Sequence, residues 1–311
     1  DSSAQTAVVT RQSEDVPFTL TAEIYAESAS APVEKEFHFV LWSNASEPCL
    51  TETFCYPDSI GQTIVEATGN SAWYFDRTDH LSLATAVIEQ DQSNPNNQVL
   101  LLKRMTANTS LNNYLNYNFS STSQLHNISV IEAKMKFSHS AGLNARYCFD
   151  VTQRGILPDG STSSLQSPVA ISFDYNKNCI WSPRVNPEDP SGAYLVEKNG
   201  LISEELPPAD TWFTVKIVID IPNEMWDLYI DGKKLNSEPI PFMTTGNQMA
   251  GIEGITYPYL SSLRFGPIRQ VAGQNFYLDD LAVRNIANFS DDVNLAAAAI
   301  QIPEVTNENL S

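Results

Sequence analysis

The sequence has few basic residues for its length. Its 311 residues include 18 Lys and Arg against 37 Asp and Glu, which gives a formal net charge of −19. Nucleic acids and anionic membrane surfaces are bound through basic patches, so this charge balance argues against both as partners. Calcium, cationic partners and a saline medium are all compatible with it, as is a simple contribution to solubility.

Long apolar runs are also missing. No stretch approaches the ~18 apolar residues of a transmembrane helix, so we expect no membrane span. The chain begins at Asp1 and shows no signal peptide, which removal or omission of a leader would explain. Charged residues make up only 18% of the chain, and Asn, Ser and Thr take their place. We therefore expect a secreted, extracellular protein.

Cysteine and histidine are too scarce and scattered for a zinc site, with four of each and no pair at CxxC spacing. An even number of cysteines permits disulfides. We predict the pairs Cys49–Cys55, within one Pro-containing loop, and Cys148–Cys179. Buried free thiols are the alternative.

Common catalytic motifs are absent as well. There is no Gly-rich phosphate loop, nucleophile elbow or metalloprotease His pair. The nearest spacing for glycosidase carboxylates is Asp227 and Asp231, which a solvated strand edge explains better. A lyase needs a base and a cation. His139, Arg146 and Tyr147 are close in sequence, but neighbours in a strand point to opposite faces.

The sequence does contain a strong strand pattern between Asp210 and Gly232. Apolar residues alternate with mostly polar ones from Phe213 to Ile221, and again from Trp226 to Ile230. Period-two alternation predicts strands with one buried face. Pro222 and Asn223 interrupt the ladder, and Asp231-Gly232 is typical of a turn. We predict an antiparallel hairpin at the centre of the core.

Similar patterns predict strands along most of the chain, and no helix longer than a turn or two. The predicted strands are 18–24, 37–42, 99–103, 128–137, 145–151, 169–174, 193–196, 260–265 and 276–283. One wet face is typical of antiparallel sheets. Residues 43–70 look like a loop and a domain boundary. We therefore predict an arm and strand extension over 1–70, an antiparallel β-sandwich over 71–290 and a tail over 291–311.

The hairpin carries a family resemblance. Trp-x-x-Val-x-Ile-x-Ile-Asp, from Trp212, followed by Trp-x-Leu-Tyr-Ile-Asp-Gly-Lys-Lys, from Trp226, resembles the late hairpin of laminin-G-like and concanavalin A-like jelly rolls. The stretch Phe276–Val283 is similar to their closing strand, and Asn97–Leu102 to an early one. The resemblance spans roughly residues 70–285 and implies an all-β jelly roll. That superfamily contains lectins, adhesion modules, hydrolases and lyases, so no single function follows.

The resemblance also bears on sites. The Glu-x-Asp-x-x-Glu motif of related endoglucanases and the Arg-x-Glu-x-Arg and Gln-(Ile/Val)-His motifs of related lyases are missing. Asp279 and Asp280 resemble the calcium-binding acid pair of many carbohydrate-binding jelly rolls. Calcium takes about six to eight oxygen ligands, so other groups would have to converge there. In a plain strand, one of these carboxylates simply faces solvent.

Aromatic residues in loops are the candidate ligand platforms, because sugar rings stack on exposed aromatics. Trp181 lies in a Pro-rich stretch beside Arg184, and Tyr257 and Tyr259 flank Pro258. A core position is the alternative for each of them. Sequons for N-glycosylation occur at Asn44, Asn108, Asn118, Asn127, Asn288 and Asn309.

These observations favour a secreted, non-catalytic recognition protein that binds glycans or adheres to a cell-surface or matrix partner. A polysaccharide-cleaving lyase or hydrolase is one alternative. A structural subunit that joins its neighbours through its tails is another. Ile300 and Ile302 alternate with Gln301, which predicts an edge strand. Added within the chain, such a strand clamps a domain; added between chains, it builds a homo-oligomer or a filament.

Overall fold

The computed structural model describes residues 6–8, 18–24, 33–39, 46–76, 84–106, 114–182, 200–242, 255–268, 272–286 and 299–301. The chain divides into two compact units. One unit comprises residues 45–286, and the other comprises residues 1–44 together with 287–311.

The described elements are almost all strands. In chain order they are β1 (Thr6–Val8), β2 (Phe18–Ile24), β3 (Val33–Phe39), β4 (Ser46–Glu52), α1 (Ile64–Thr68), β5 (Trp73–Phe75), β6 (Ala84–Gln90), β7 (Gln98–Arg104), β8 (Leu115–Asn118), β9 (Ile128–Ser138), β10 (Arg146–Ile156), β11 (Thr162–Asp174), β12 (Cys179–Trp181), β13 (Leu201–Ser203), β14 (Phe213–Asp220), β15 (Met225–Ile230), β16 (Lys233–Lys234), β17 (Ile240–Pro241), β18 (Ser262–Pro267), β19 (Asn275–Ile286) and β20 (Ala299–Gln301).

The larger unit is a sandwich of two antiparallel sheets. Among the described residues, one sheet has seven strands in the order β13-β12-β11-β10-β18-β8-β5. The other has nine, in the order β16-β15-β14-β9-β19-β7-β6, with β17 beside β15 and β4 beside β19. The inward side chains of both sheets form one apolar cluster. The predicted all-β, antiparallel sandwich is confirmed.

The hairpin β14–β15 has the predicted register. Ile217 pairs with Leu228 and Ile219 with Trp226, so the apolar residues of both strands share the inner face. Ile217 is 0% exposed and lies beside Ile131 of β9 on its other side. Alternation along each strand is what places these side chains in the core.

Strand β19 has two neighbours on one side. Its first part pairs with β7, and its second part pairs with β4. The change falls at a bulge after Asp279, where Asp280 takes a positive φ of 46°. The predicted loop over 43–70 therefore contains a strand of the sandwich. Pro48 of that strand is tolerated beside a register shift, where a missing N–H costs little.

The short helix α1 follows β4 in the same region. Thr63 and Glu66 form a reciprocal capping box at its start. Gly69 ends it with a φ of 62°, a left-handed conformation that glycine adopts without strain. The compact unit thus begins near Ala45, whereas the sequence suggested residue 71.

The predicted disulfides are not formed; all four cysteines lie in the described part of the chain and none is bridged. Cys148 on β10 and Cys179 on β12 are separated by β11. Two strand spacings amount to about 10 Å, more than the roughly 4.4–6.8 Å between Cα atoms of a disulfide. Cys49 packs against the core, whereas the Cys55 Sγ points to Asn97, 3.4 Å from its Oδ1.

The smaller unit contains two antiparallel strand pairs. Strands β2 and β3 form a hairpin in which Phe18 pairs with Phe39. Strand β20 pairs with β1, so that Ile300 lies opposite Ala7. The tail thus adds a strand within its own chain, and the assembly between chains stays a prediction. No helix among the described residues is both long and apolar enough to cross a membrane.

Candidate functional site

The seven-stranded sheet carries polar side chains on the face that points away from the core. In β10, Tyr147, Phe149 and Val151 point inward and are 0% exposed. Arg146, Cys148 and Asp150 alternate with them and therefore lie on the outer face. The strand register then decides which residues of β11 and β18 join them.

The middle of this outer face has small side chains. Cys148 pairs with Ser172 of β11 on one side and with Gly266 of β18 on the other. In the next row, Asp150 lies between Ala170 and Arg264. We call Cys148, Ser172 and Gly266 the floor, because longer side chains lie around them.

Arg264 is the centre of a hydrogen-bonded cluster beside the floor. Its Nη2 lies 3.6 Å from Asp76 Oδ2, and its Nε donates to Asn116 Oδ1 at 3.3 Å. The Asn116 side-chain amide in turn donates to Asp76 Oδ1 at 2.7 Å. The Arg264 guanidinium also lies 5.0 Å from the centre of the Tyr114 ring. The cluster joins β18, β8 and the residue after β5.

Asp150 is the unusual carboxyl group of this face. Burial raises its pKa to about 6, although Arg264, Arg146 and hydrogen bonds from Ser167 and the Ile171 amide all act to lower it. The Ser167 hydroxyl donates to Asp150 Oδ2 at 3.3 Å. A carboxyl group with this pKa can hold or release a proton near neutral pH.

Arg146 and Trp181 form the opposite side of the floor. The Arg146 guanidinium lies 5.3 Å from the centre of the Trp181 ring. Trp181 pairs with Ser172 and is 6% exposed. The Nε–H of Arg146 and the Nε1–H of Trp181 are both buried, and neither has a hydrogen-bond partner in the part of the chain that the structure describes.

The predicted aromatic platforms are less exposed than the sequence suggested. Trp181 lies on the outer face but is covered, and Tyr257 is 2% exposed because it packs beside Phe242. Tyr259 is 36% exposed. Arg184 lies outside the described residues. The alternation around Pro258 thus sends one tyrosine inward and the other outward, and the ligand-binding role of these residues stays a prediction.

The acid pair at the β19 bulge is engaged by the protein itself. Asp279 accepts hydrogen bonds from the Asn97 side chain and the Asp280 amide, both at 2.8 Å. Asp280 pairs with Lys134 at 2.6 Å. The described residues include no group of three or more His, Cys, Asp or Glu side chains that could hold a metal ion. Because the Lys134 ammonium group lies beside the Asp280 carboxylate, the acid pair does not fit calcium as arranged. Calcium binding stays an untested prediction.

Two of the sequons fall in described strands or turns. Asn118 is exposed at the end of β8, and its Oδ1 accepts a hydrogen bond from the Tyr74 hydroxyl at 3.3 Å. Asn127 is half-buried and has a positive φ of 56°. Asn44, Asn108, Asn288 and Asn309 lie outside the described residues. Asn118 shares the outer face with Asn116, two residues away.

The other candidate constellations do not assemble a site. Tyr147 points into the core and donates to the Ser138 carbonyl, whereas Arg146 lies on the outer face, as the alternation predicted. Asp231 accepts from the Thr214 amide at 2.7 Å in the hairpin turn. Asp227 pairs with Lys234 at 3.0 Å. Both hairpin carboxylates therefore have structural roles.

Sequence reasoning missed the most connected residues of the outer face. Alternation placed Asp150 and Arg146 on one face of a strand. It did not indicate that Arg264, Asn116 and Asp76 lie beside them. The three come from separate strands whose order in the sheet no local pattern reveals. The only available signal was the outward position of polar residues in strands with alternating apolar and polar side chains.

No family model matches the sequence, and no curated protein matches it significantly. Solved structures do show likeness. One is a sialidase, with 9% identity, a TM-score of 0.44, 76% of this chain covered, and only 18% of the sialidase's length spanned. Another is an endo-β-1,4-glucuronan lyase from the fungus Trichoderma reesei, with 10% identity, coverage of 77% of this chain and 96% of the lyase, and a TM-score of 0.45. A third is a putative sugar-binding protein from Bacteroides thetaiotaomicron, with 12% identity, coverage of 76% and 99%, and a TM-score of 0.36. At these values no activity carries over to this chain.

Proposed function

We propose that the larger unit binds carbohydrate on the outer face of the seven-stranded sheet. The observation behind this proposal is the Arg264 cluster, in which a guanidinium, a carboxylate and an amide lie together on an otherwise regular sheet surface. Such a cluster offers donors and acceptors in fixed directions, which is what a polyhydroxylated ligand requires.

Partial burial supports this proposal. The side chains of Arg264 and Asp76 are 18% and 25% exposed, so they are neither core groups nor freely solvated ones. Tyr114 and Tyr74 are half-buried beside them and offer ring surface for apolar sugar faces. The floor beside the cluster has small side chains that are buried, with Cys148 2% and Ser172 4% exposed.

The test is a glycan array followed by titration calorimetry with each glycan that binds. Arg264→Gln should weaken binding by at least about tenfold, because it removes a charge-assisted donor and releases Asp76. Lys233→Gln is the matched control, since Lys233 is 73% exposed and lies on the other sheet. Tyr74→Phe, which removes one hydroxyl, tests the same face if Arg264→Gln fails to fold. Equal binding by every variant would contradict the proposal.

Cleavage of the bound glycan is the second candidate, and the raised pKa of Asp150 favours it. A carboxyl group that is protonated near neutral pH can serve as a general acid, and Asp76 on the far side of Arg264 supplies a second carboxylate. Incubation with each bound glycan should then release reducing ends or unsaturated uronate, and Asp150→Asn should stop the release while keeping the binding. Binding without any product supports a purely non-catalytic role.

The location and assembly of the protein belong to the same proposal. A secreted protein that recognises a cell-surface or matrix glycan accords with the polar, acidic composition. Homo-oligomers or filaments through the tails remain the third possibility. Light scattering of the full chain and of a chain lacking residues 292–311, at matched concentration, distinguishes assembly from a within-chain clamp. Two monomers of equal stability would exclude an assembly role for the tail.

A further inference from the structure

The two arginines beside the floor differ in how their charges are compensated. Arg264 pairs with Asp76 and donates to Asn116. Arg146 forms no ion pair with any residue that the structure describes, and its buried Nε–H has no hydrogen-bond partner. Its positive charge acts to lower the pKa of both Asp150 and Cys148, which lie beside it on the outer face of β10.

Trp181 supplies a second donor without an acceptor on the same side. Its ring supports the Arg146 guanidinium at 5.3 Å, and the ring is 6% exposed. Its Nε1–H is buried and has no hydrogen-bond partner within the described ranges. Buried donors are nearly always paired in folded proteins, and an exception calls for an explanation such as an absent acceptor. Arg146 and Trp181 therefore place two unpaired donors on the same side of the floor.

We infer that Arg146, stacked on Trp181, binds the carboxylate or sulfate group of an acidic sugar, an inference that rests on the proposed carbohydrate-binding function. A guanidinium is planar and presents parallel N–H groups along its edge, which match the paired oxygens of such anions. Because the aromatic ring covers one face of the guanidinium, an anion would approach along its edge. The anion thus supplies the acceptor that this side of the floor lacks.

The position of Arg146 sets the length of the ligand. Arg264 lies opposite Asp150, four residues along β10 from Arg146. At roughly 3.3 Å per residue the two positions are about 13 Å apart along the strand. A short chain of sugars, rather than a single ring, is needed to contact both. The neutral part of the glycan would lie at the Arg264 cluster and the acidic group at Arg146.

The net charge of −19 opposes an anionic ligand at long range. That repulsion is screened beyond about 10 Å at 0.1 M salt, whereas a contact made in a partly buried site is screened much less. Selectivity for the acidic sugar therefore depends on the local contact with Arg146. It should persist in moderate salt.

The experiment compares three ligands that share one backbone. They are a neutral glucan tetrasaccharide, the same tetrasaccharide with its primary alcohols oxidised to carboxylates, and the same tetrasaccharide with those alcohols sulfated. Calorimetry measures the binding of each to the wild type, to Arg146→Gln and to Arg154→Gln. Arg154 is the matched control, because it is an exposed arginine of the same strand.

We expect the wild type to bind at least one acidic tetrasaccharide about tenfold more tightly than the neutral one, a difference of about 1.4 kcal/mol. Arg146→Gln should lose this preference and keep its affinity for the neutral ligand, whereas Arg154→Gln should keep both. The preferred acidic ligand identifies carboxylate or sulfate as the group that is bound. A preference that survives in Arg146→Gln would overturn the inference.

Two further outcomes separate this inference from the proposed function. Binding of the neutral ligand without any acidic preference overturns only the acidic subsite. If none of the three tetrasaccharides binds, the acidic subsite is overturned for glucan ligands. That result also counts against a carbohydrate-binding role for this face. If Arg146→Gln does not fold, the Nε–H resonance of Arg146 in the wild type decides. It should shift with the acidic ligand but not with the neutral one, and an unshifted resonance contradicts the inference.

Discussion

Two charged pairs, one on the outer face of each sheet, differ in their exposure. On the nine-stranded sheet, Lys134 and Asp280 pair at 2.6 Å with side chains that are 50% and 47% exposed. On the seven-stranded sheet, Arg264 and Asp76 are 18% and 25% exposed and are joined by Asn116. Exposed pairs are screened by water and contribute little to stability, whereas a partly buried network constrains the position and protonation of its members.

Aromatic residues on both outer faces carry a cation. On the nine-stranded sheet, the Lys136 ammonium lies 4.8 Å from the centre of the Trp212 ring and 4.4 Å from that of Tyr277. This aromatic pair is thus occupied by the protein's own cation. On the seven-stranded sheet, the Trp181 ring carries Arg146, whose buried Nε–H has no hydrogen-bond partner among the described residues. Each face therefore places a cation on an indole ring, and the buried Nε1–H of Trp212, like that of Trp181, has no partner among the described residues.

The inner faces should be far more sensitive to substitution than either outer face. Ile217→Asp would place an unpaired carboxylate at a site that is 0% exposed. We expect a loss of several kcal/mol and no soluble, folded protein. Lys216→Gln, one residue away on the outer face, should cost less than about 1 kcal/mol. Expression and urea unfolding of both variants test this, and a cooperatively folding Ile217→Asp protein would contradict the register.

The next largest effect should separate the two outer faces. Arg264→Gln leaves Asp76 without its cation, and we expect a loss of about 2 kcal/mol of unfolding free energy. Lys134→Gln breaks the exposed pair with Asp280 and should cost no more than about 0.5 kcal/mol. Chemical unfolding at low ionic strength measures both. Equal losses would remove the distinction between the faces.

The pH dependence of stability should show the effect of Asp150. Its folded-state pKa of about 6 lies above its usual value, so between these values the folded protein binds more protons than the unfolded chain. The contribution of Asp150 to the free energy of unfolding therefore falls as pH rises from about 4 to 6, by no more than about 3 kcal/mol. Asp150→Asn should lack that fall.

Ser167→Ala sharpens the same measurement. Its hydroxyl donates to Asp150 and lowers the pKa of that carboxyl group, so its removal should raise the pKa and move the fall to higher pH. Urea unfolding across this pH range follows both variants. An Asp150→Asn curve parallel to that of the wild type would show that the carboxyl group titrates normally.

The smallest effect is expected from metal removal. Lys134 already neutralises Asp280, and the Asp279 carboxylate accepts two hydrogen bonds. We therefore expect the same Tm with and without a chelator. A Tm that falls with chelator, recovers with calcium and loses this response in Asp280→Ala would instead support the calcium prediction from the sequence, because a ligand of the folded state raises Tm by mass action.

Sequence patterns predicted the fold well where the pairing is local. The β14–β15 hairpin has two strands joined by a short turn, so alternation and turn residues determined its register. Strand β4 was predicted to be a loop, because its partner β19 lies more than 220 residues away and Pro48 interrupts its pattern. Alternation reports which face of a strand is buried, but it does not identify a partner that is distant in the chain.

The candidate site was less predictable for the same reason. Alternation placed Arg146 and Asp150 on one face of β10. The cluster around Arg264 depends on the order β10-β18-β8-β5, which brings together four segments that are far apart in the chain. The exposure of Trp181 also depends on its surroundings, and a Pro-rich sequence context does not reveal them.

Strand β19 pairs with β7 along its first part and with β4 along its second part, and this arrangement has a consequence for synthesis. Strand β4 emerges from the ribosome long before β19 exists. At about 5–20 residues per second, the delay is on the order of ten seconds or more. During that time the edge of β4 has no partner in the sheet, and unpaired edges invite association with other chains. Pulse proteolysis of stalled nascent chains should find residues 46–52 protected only after residue 286 has emerged, so this late strand governs when the chain becomes safe from aggregation.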